Sequence, residues 1–365
     1  MPLNIAKSDI RVLLLCGMSD FKLRQKLAGI QDIDHISHIL LVRGKKFKGR
    51  KVTSFSAPGL VARSRVLTDL YRAPVAFWQC VIRKPDVIIA FYLNYHGLMG
   101  WILGKLFNIP VVLVLLGTDL ERAINSRRMI SILRSAARIA VSGATSKERL
   151  IAAGVEESKI LHPTSAFSVS DLPIARYAGI EYDLIFVGSL VQVKRVDRLL
   201  KAVENLKHRN SLLRLAIVGD GPLRQSLGNL VNELGLDDNV TFVGRVPGNE
   251  VPHYLCKSKV FVLTSNSEGL PMAMIEALSC GIPVVVPDAG DINCVVHHKQ
   301  NGLLVNVSNE RELAEALGQV LDNHKLLESL RRGAVATRNL FKSNYSQQAI
   351  RRVWETALEG IISLK

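Results

Sequence analysis

A chain of 365 residues exceeds what one hydrophobic core serves, because single cores stop growing near ~250–300 residues, so two domains are expected. Its 48% hydrophobic and 22% charged residues are the composition of a folded globular protein, which excludes a disordered chain. The net charge of +15 is uneven, with 25 Lys and Arg against 12 Asp and Glu in residues 1–175 and 22 against 20 in the rest; the first half is expected to meet an anionic partner such as a membrane surface or a phosphate-bearing lipid.

Nucleic acid is a poor match for that partner. There is no zinc-ligand spacing and no basic helix carrying heptads, and aromatic residues are only 6% of the chain, too few for a stacking surface. The five cysteines, Cys16, Cys80, Cys256, Cys280 and Cys294, are odd in number and scattered through apolar segments. They read as reduced core residues of a cytosolic protein, with neither a disulfide framework nor a metal site. The start, MPLNIAKSDIRVLLLCG, has too short an apolar run for a signal peptide.

In chain order, Ile10 to Cys16 is a continuous apolar run ending at Gly17, the pattern of a parallel strand buried on both faces. A basic segment follows, then a strand from Ile36 to Val42 and the densest basic block, Arg43 to Lys51, with six basic residues in nine. Asp32 and Asp34 sit before a strand, where a solvated turn is expected. Val66 to Arg83 has helical periodicity, stopped by Pro85 before the strand Asp86 to Phe91. The apolar region Val87 to Leu116 is interrupted by Asn94, His96, Lys105, Asn108 and Pro110, so it reads as strand, helix, strand instead of a membrane span. Gly117, Thr118 and Asp119 then form a turn at a strand's carboxyl end, where open parallel sheets bind ligands. A further strand at Ile139 and a helix closed at Gly154 complete a parallel, doubly wound domain. The polar, proline-containing stretch Leu161 to Glu181 is the expected linker.

A second series opens with the strand Tyr182 to Val187 and its Gly188-Ser189 turn, with Lys194 a few residues on. Strand and helix then alternate through Gly219-Asp220-Gly221 to the stretch Ser267 to Pro287, SEGLPMAMIEALSCGIPVVVP. There Glu268 and Glu276 lie eight residues apart across a loop and the start of a short helix. Pro271 is expected at that helix's first position and Gly281 at its close. The helix start presents unpaired amides and a partial positive charge between two carboxylates, which suits a ligand with a central phosphate and hydroxyl-bearing groups on either side. Gly219-x-Gly221 fails as a dinucleotide fingerprint because Arg224 stands where a third glycine belongs.

With FVGSLVQVKRVDRLLKA, LAIVGDGPLR, VTFVGRVP, SEGLPMAMIEALSCGIPVVV and NGLLV in order, residues 180–360 resemble the retaining nucleotide-sugar glycosyltransferases of GT-B fold, the "glycosyl transferases group 1" type. The first half resembles it more loosely, through Gly117 to Asp119 and VSGATSKERLIAAGV. The resemblance implies an α/β architecture of two doubly wound, Rossmann-like parallel-sheet domains facing across a cleft. The expected divisions are an acceptor-side domain at 1–170, a nucleotide-sugar domain at 171–345, and a C-terminal helix at 346–365 that can cross back onto the first.

Carried onto this sequence, the resemblance implies that Lys194 neutralises the donor diphosphate and Glu268 contacts sugar hydroxyls, as the catalytic pair. The amides of Gly269, Leu270, Pro271 and Met272 would frame sugar and phosphate, with Pro271 lending only its carbonyl, and Glu276 would hold the ribose diol. Gly188, Ser189, Gly219 and Gly221 would line the nucleotide site, with Arg245, Val246 and Pro247 at the base; Gly17, Gly117, Thr118 and Asp119 would line the acceptor side. No metal or other cofactor is implied, because lysine and a helix end can stabilise the departing diphosphate. The chain departs from the family pattern at Ser189, where an arginine is usual, and at Leu116, where a histidine is often found; Arg195 is the candidate to replace the missing cation.

The expected function is transfer of a sugar from a UDP- or GDP-sugar to a glycan or polyprenyl-diphosphate-linked acceptor in surface polysaccharide or glycolipid synthesis. The enzyme is expected in the cytoplasm, peripheral on the inner face of an anionic membrane. The alternatives are a sugar-nucleotide epimerase of the same fold and a non-catalytic homologue acting as a regulatory partner.

Overall fold

The computed structural model describes residues 9–163, 172–176 and 179–363. The chain divides into two compact units, Met1–Phe167 with Asn344–Lys365, and Ser168–Ser343. Part of the expected linker, including the boundary near residue 170, lies outside the described residues.

The N-terminal unit runs β1 (Ile10–Leu15), α1 (Asp20–Leu27), β2 (Ile36–Arg43), β3 (Val52–Ser56), α2 (Arg65–Arg83), β4 (Val87–Phe91), α3 (Leu98–Phe107), β5 (Val111–Val114), α4 (Asp119–Ile124), α5 (Arg127–Ser135), β6 (Arg138–Ala140), α6 (Ala144–Ala152) and β7 (Ile160–Leu161). Its seven strands are parallel in the order β3-β2-β1-β4-β5-β6-β7. The continuous apolar runs are the central strands: Val12, Leu13, Leu14 and Leu15 of β1 are fully buried, as are Val87 to Phe91 of β4. Alternate residues enter cores on opposite faces of the sheet, Leu13 and Leu15 on one and Val12 and Leu14 on the other.

Three features of this unit differ from the sequence reading. β3, a short edge strand of mixed polarity, and helices α4 and α5 were not expected, since none carries a long apolar period. The helix expected between the strands of Val87 to Leu116 instead begins as a single wide turn over Leu93–Gly97, kinked at Asn94, before regular α3.

The C-terminal unit runs β8 (Tyr182–Val187), α7 (Val196–Lys207), β9 (Leu215–Val218), α8 (Arg224–Glu233), β10 (Val240–Gly244), α9 (Val251–Cys256), β11 (Ser258–Val262), α10 (Met272–Ser279), β12 (Val284–Pro287), β13 (Gly302–Val305), α11 (Glu310–Asp322) and α12 (His324–Asn344). Its six strands are parallel in the order β10-β9-β8-β11-β12-β13. In each sheet the strand order reverses beside the first strand, between β1 and β4 and between β8 and β11. Such a reversal opens a crevice at the strands' carboxyl ends.

The last helix, α13 (Gln347–Ile362), packs its apolar stripe of Ile350, Trp354, Leu358 and Ile361 into the core of the N-terminal unit. Asp32 and Asp34 hold it there. Asp32 accepts from Gln347, and Asp34 accepts from Arg351 Nη2 at 2.9 Å, an ion pair that draws the Asp34 carboxyl below its ordinary range. The Asp-x-Asp pair is thus a clamp for a helix more than 300 residues away.

Candidate active site

The reversal point of the C-terminal sheet gathers the chemistry. The chain leaves β8 through Gly188 and Ser189 and makes one tight turn over Gln192–Lys194. It leaves β11 through Leu263, Thr264 and Ser265 into the loop before α10. These two exits meet: Lys194 Nζ lies 2.5 Å from Glu268 Oε1. The same carboxylate oxygen accepts from Ser265 Oγ at 2.5 Å. Thr264 Oγ1 donates to the carbonyls of Lys194 and Arg195, and the Asn266 amide donates to the Val193 carbonyl. The loops are stitched together beneath the pair, so the ammonium and carboxylate are held by backbone as well as by each other. Sequence reasoning missed Thr264, Ser265 and Asn266; their signal is a run of small polar residues immediately after a buried strand.

The glycines permit close loop contact. Gly219 has φ +140°, and a Cβ on it would fall 1.8 Å from the Gly188 carbonyl oxygen; one on Gly221 would fall 2.4 Å from the Leu190 carbonyl oxygen. The Gly219 amide donates to the Gly244 carbonyl and the Leu190 amide to the Asp220 carbonyl. The exits of β8, β9 and β10 therefore form one backbone-walled floor, and Arg245, Val246 and Pro247 continue from it. A third close approach was not expected: a Cβ on Gly290 would strike the Glu268 carbonyl oxygen at 1.9 Å, and the Asp291 amide donates to the Gly269 carbonyl at 3.1 Å. Gly290 sets the height of the Glu268 loop.

Helix α10 starts one residue later than expected. Pro271 is its N-cap, in extended conformation and with no side-chain cap bond, and the helix spans eight residues. Its first-turn amides have no intrahelical acceptor and face the loop of Glu268 to Leu270. Gly281, at φ +78°, ends it as expected: the Ile282 amide donates back to the Ala277 carbonyl. Glu276 lies on the second turn. Burial raises its carboxyl to about 7, and among the described residues no hydrogen bond to that carboxylate is made.

Arg195 takes a different course. Its backbone is left-handed, at φ +47°, and its guanidinium makes a two-pronged bond to Asp197, Nε to Oδ1 at 3.0 Å and Nη2 to Oδ2 at 2.7 Å. It is turned onto the first residues of α7, so in this structure Lys194 stands as the cation facing Glu268 without Arg195 at its side. Ser189 is exposed and brings no charge.

In the N-terminal unit Gly17 leaves β1 and abuts the residues that follow β4: a Cβ on it would lie 2.9 Å from His96 Cε1 and 3.6 Å from Arg72 Nη1. Arg72 bonds Asp69 Oδ1 at 2.7 Å and His96 Nε2 at 3.1 Å, while Arg43 at the end of β2 bonds Asp20 and the Met18 carbonyl. Two buried arginines and a histidine thus stand behind Gly17, none of them flagged from sequence. Gly117 adopts φ +58°. Asp119 turns inward, its Oδ2 accepting from the amides of Leu93 and Leu116 at 3.1 Å each. Burial pushes its carboxyl upward, and its evident work is to close the turn beside the wide turn that precedes α3. Among the described residues there is no cluster of metal-ligating side chains.

A cation and a carboxylate at the reversal point of a parallel sheet, beside an uncapped helix start, define a site for a phosphate-bearing ligand with polar groups around it. Comparison with known proteins narrows that class. Residues 178–336 match the family model of glycosyl transferases group 1. A glycosyltransferase of Haemophilus influenzae is 34% identical over 157 residues, 42% of this chain and 44% of that protein. The GDP-mannose-dependent alpha-(1-6)-phosphatidylinositol monomannoside mannosyltransferase of Mycobacterium tuberculosis is 30% identical over 38% of each chain. The chain thus spans less than half the length of these two relatives. Among solved structures, Anabaena HepE with UDP-glucose superposes with a TM-score of 0.74 at 18% identity, covering 96% of this chain and 100% of that one. Sucrose-phosphate synthase of Thermosynechococcus elongatus superposes at 0.80 and 17% identity, covering 98% and 100%.

The fold is that of the GT-B glycosyltransferases, two Rossmann-like parallel-sheet units, as the sequence resemblance implied. The match to glycosyl transferases group 1 falls within the C-terminal unit, over residues 178–336.

Proposed function

We propose that the chain is a retaining glycosyltransferase that moves a sugar from a UDP- or GDP-sugar to a glycan or lipid-linked acceptor in surface polysaccharide or glycolipid synthesis. The observation that carries this reading is the meeting of Lys194 and Glu268 at the reversal point, directly before the uncapped start of α10. Departure of a nucleoside diphosphate builds negative charge on its phosphate and positive character on the sugar. A fixed ammonium and helix amides stabilise the first, and a carboxylate held by Ser265 positions the second. Lys194 would move its bond from Glu268 to the diphosphate, and Glu268, relieved of the cation, would accept from sugar hydroxyls. Glu276 would take the ribose hydroxyls, and the glycine floor would admit the nucleotide close to backbone. Without a metal, the departing phosphate can take the acceptor's proton on the face that retention requires. The acceptor is proposed to sit on a membrane, the protein binding peripherally to its cytoplasmic, anionic face.

The test is transfer of labelled sugar from a panel of UDP- and GDP-sugars, with donor binding read by thermal shift. Glu268→Gln is expected to lower kcat about 10²-fold or more with donor binding largely kept, and Lys194→Ala to weaken both donor binding and turnover. Full activity of Glu268→Gln would overturn the site assignment. The engagement of Arg195 with Asp197 and the neutral Ser189 favour one second reading, a non-catalytic homologue. It predicts a donor-induced thermal shift with no turnover against any acceptor. Conversion of free nucleotide-sugar without an acceptor would point instead to an epimerase.

A further inference from the structure

Helix α2 packs Ala76 and Cys80 into the core and yet turns a second apolar face to solvent. From Val66 to Ile82 every exposed residue is apolar, Leu70 at 65% and Trp78 at 56% among them, whereas Thr68, Arg72 and Gln79 are turned inward at 6%, 9% and 7% exposure. Two of the three inward polar residues are held by partners, while Gln79 Oε1 is buried without one. Thr68 donates its hydroxyl to the carbonyls of Val61 and Ser64, and Arg72 binds Asp69 and His96. The neighbouring α3 repeats the arrangement with Leu98, Ile102 and Leu106 exposed at a four-residue interval. Phe77 and Phe107 join the two helices edge to face, with ring centroids 5.2 Å apart. Beside them an open groove of about 550 Å³ runs between β3 and α2, walled by Phe55, Tyr71, Pro74 and Trp78.

The charge around this apolar face is predominantly positive. Residues 35–107 contain twelve Lys and Arg and only two Asp, with no Glu. Arg63 stands exposed before α2, Arg83 and Lys84 at its end and Lys105 on α3. The basic stretch from Lys45 begins beside the same helix, since a Cβ on Gly44 would touch Thr68. Asp69 is drawn inward by Arg72. An apolar face this continuous marks a binding surface, and a rim in which basic residues far outnumber the two Asp selects an anionic bilayer, whose headgroups neutralise the rim while the apolar side chains enter the acyl boundary.

We infer that the outward faces of α2 and α3 form a shallow membrane-insertion surface for anionic lipid, with Trp78 and Leu70 entering the bilayer and Arg63, Arg83, Lys84 and Lys105 binding headgroups. This deepens the proposed membrane contact, which the sequence reading assigned to the basic first half on charge alone, by making insertion of helices the main term.

The experiment uses the full chain with vesicles of phosphatidylcholine alone or with about 30 mol% phosphatidylglycerol at about 1 mM lipid, with some phosphatidylcholine brominated on its acyl chains. Co-sedimentation with the anionic vesicles and quenching of tryptophan emission by bromine are expected. Trp78→Phe should remove most of the quenching while binding remains. Leu70→Glu with Trp78→Glu should cut partitioning about tenfold or more, and Arg83→Glu with Lys84→Glu several-fold at low salt. These side chains are exposed, so melting temperature and the UDP-sugar thermal shift should not move. Binding without tryptophan quenching would overturn insertion in favour of the loop. A concentration-dependent dimer abolished by the Leu70/Trp78 variant, with no vesicle binding, would make the face an interface between copies. Loss of vesicle binding with intact donor binding sinks only this inference; loss of donor binding in the wild-type chain sinks the proposed function.

Discussion

Glu276 shows how a single residue carries a testable signature. Its carboxyl is raised from 4.5 to about 7 by burial, so between those values the folded state holds a proton that the unfolded state has released. Stability must therefore fall as pH rises from about 4.5 to 7 and level off above, a contribution of roughly 3 kcal/mol at most. Glu276→Gln is expected to flatten that part of the stability profile, measured by urea unfolding at several pH values. If ionised Glu276 accepts the ribose hydroxyls, donor affinity should rise through the same interval, an opposite slope readable by titration calorimetry. Gly219 offers a second residue-scale test. With its Cβ blocked at 1.8 Å by the Gly188 carbonyl, Gly219→Ala should cost about 2–4 kcal/mol and be seen as a lower unfolding midpoint. That Lys194 and Glu268 share one site was legible because each sits in a short loop directly after a recognisable strand, and Glu276 entered through the motif that resembles the family. Ser265 and Gly290 were not legible, because what they do depends on which distant loop lies against them. The direction of Arg195 was not legible for a related reason: it is set in the folded chain by Asp197, two residues on, which binds its guanidinium.

At the scale of elements, the buried strands were the most readable, since a four- to six-residue apolar run bounded by glycine has few other uses. β3 was invisible because an edge strand buries little and needs no such run. α2 gave its period but not its orientation; a helical stripe fixes which residues share a face, and the usual assumption turns the apolar face inward. Here the inward face carries Arg72 and Thr68 beside Ala76 and Cys80. α13 was legible as a helix, but its destination came from Trp354, fully buried in the N-terminal unit. Trp354→Ala should cost about 3–5 kcal/mol, and removal of residues 346–365 should open the N-terminal core, detectable as rapid amide exchange in β1 and β4. Asp34→Asn should cost far less, because that ion pair is exposed.

For the whole molecule, the alternation of strands and helices foretold two doubly wound sheets, and the reversal of strand order in each explains why chemistry collects after β8 and β11. The C-terminal unit is continuous in sequence and holds every proposed donor-binding residue. A fragment of residues 168–343 is therefore expected to fold alone and to keep a UDP-induced rise in melting temperature; absence of any shift would mean that donor binding needs residues from elsewhere in the chain. The N-terminal unit is instead split, its sheet begun by β1 and its core closed only by α13. On the ribosome α13 emerges after the whole of the C-terminal unit, so the usual vectorial order is reversed. The unit begun first is completed last, and while synthesis continues the pocket reserved for Trp354 must stay open to solvent or to a chaperone. Slowing translation anywhere between the end of the first segment, near residue 167, and the emergence of α13 would lengthen that exposure, whereas slowing it before β1 to β7 are made would not.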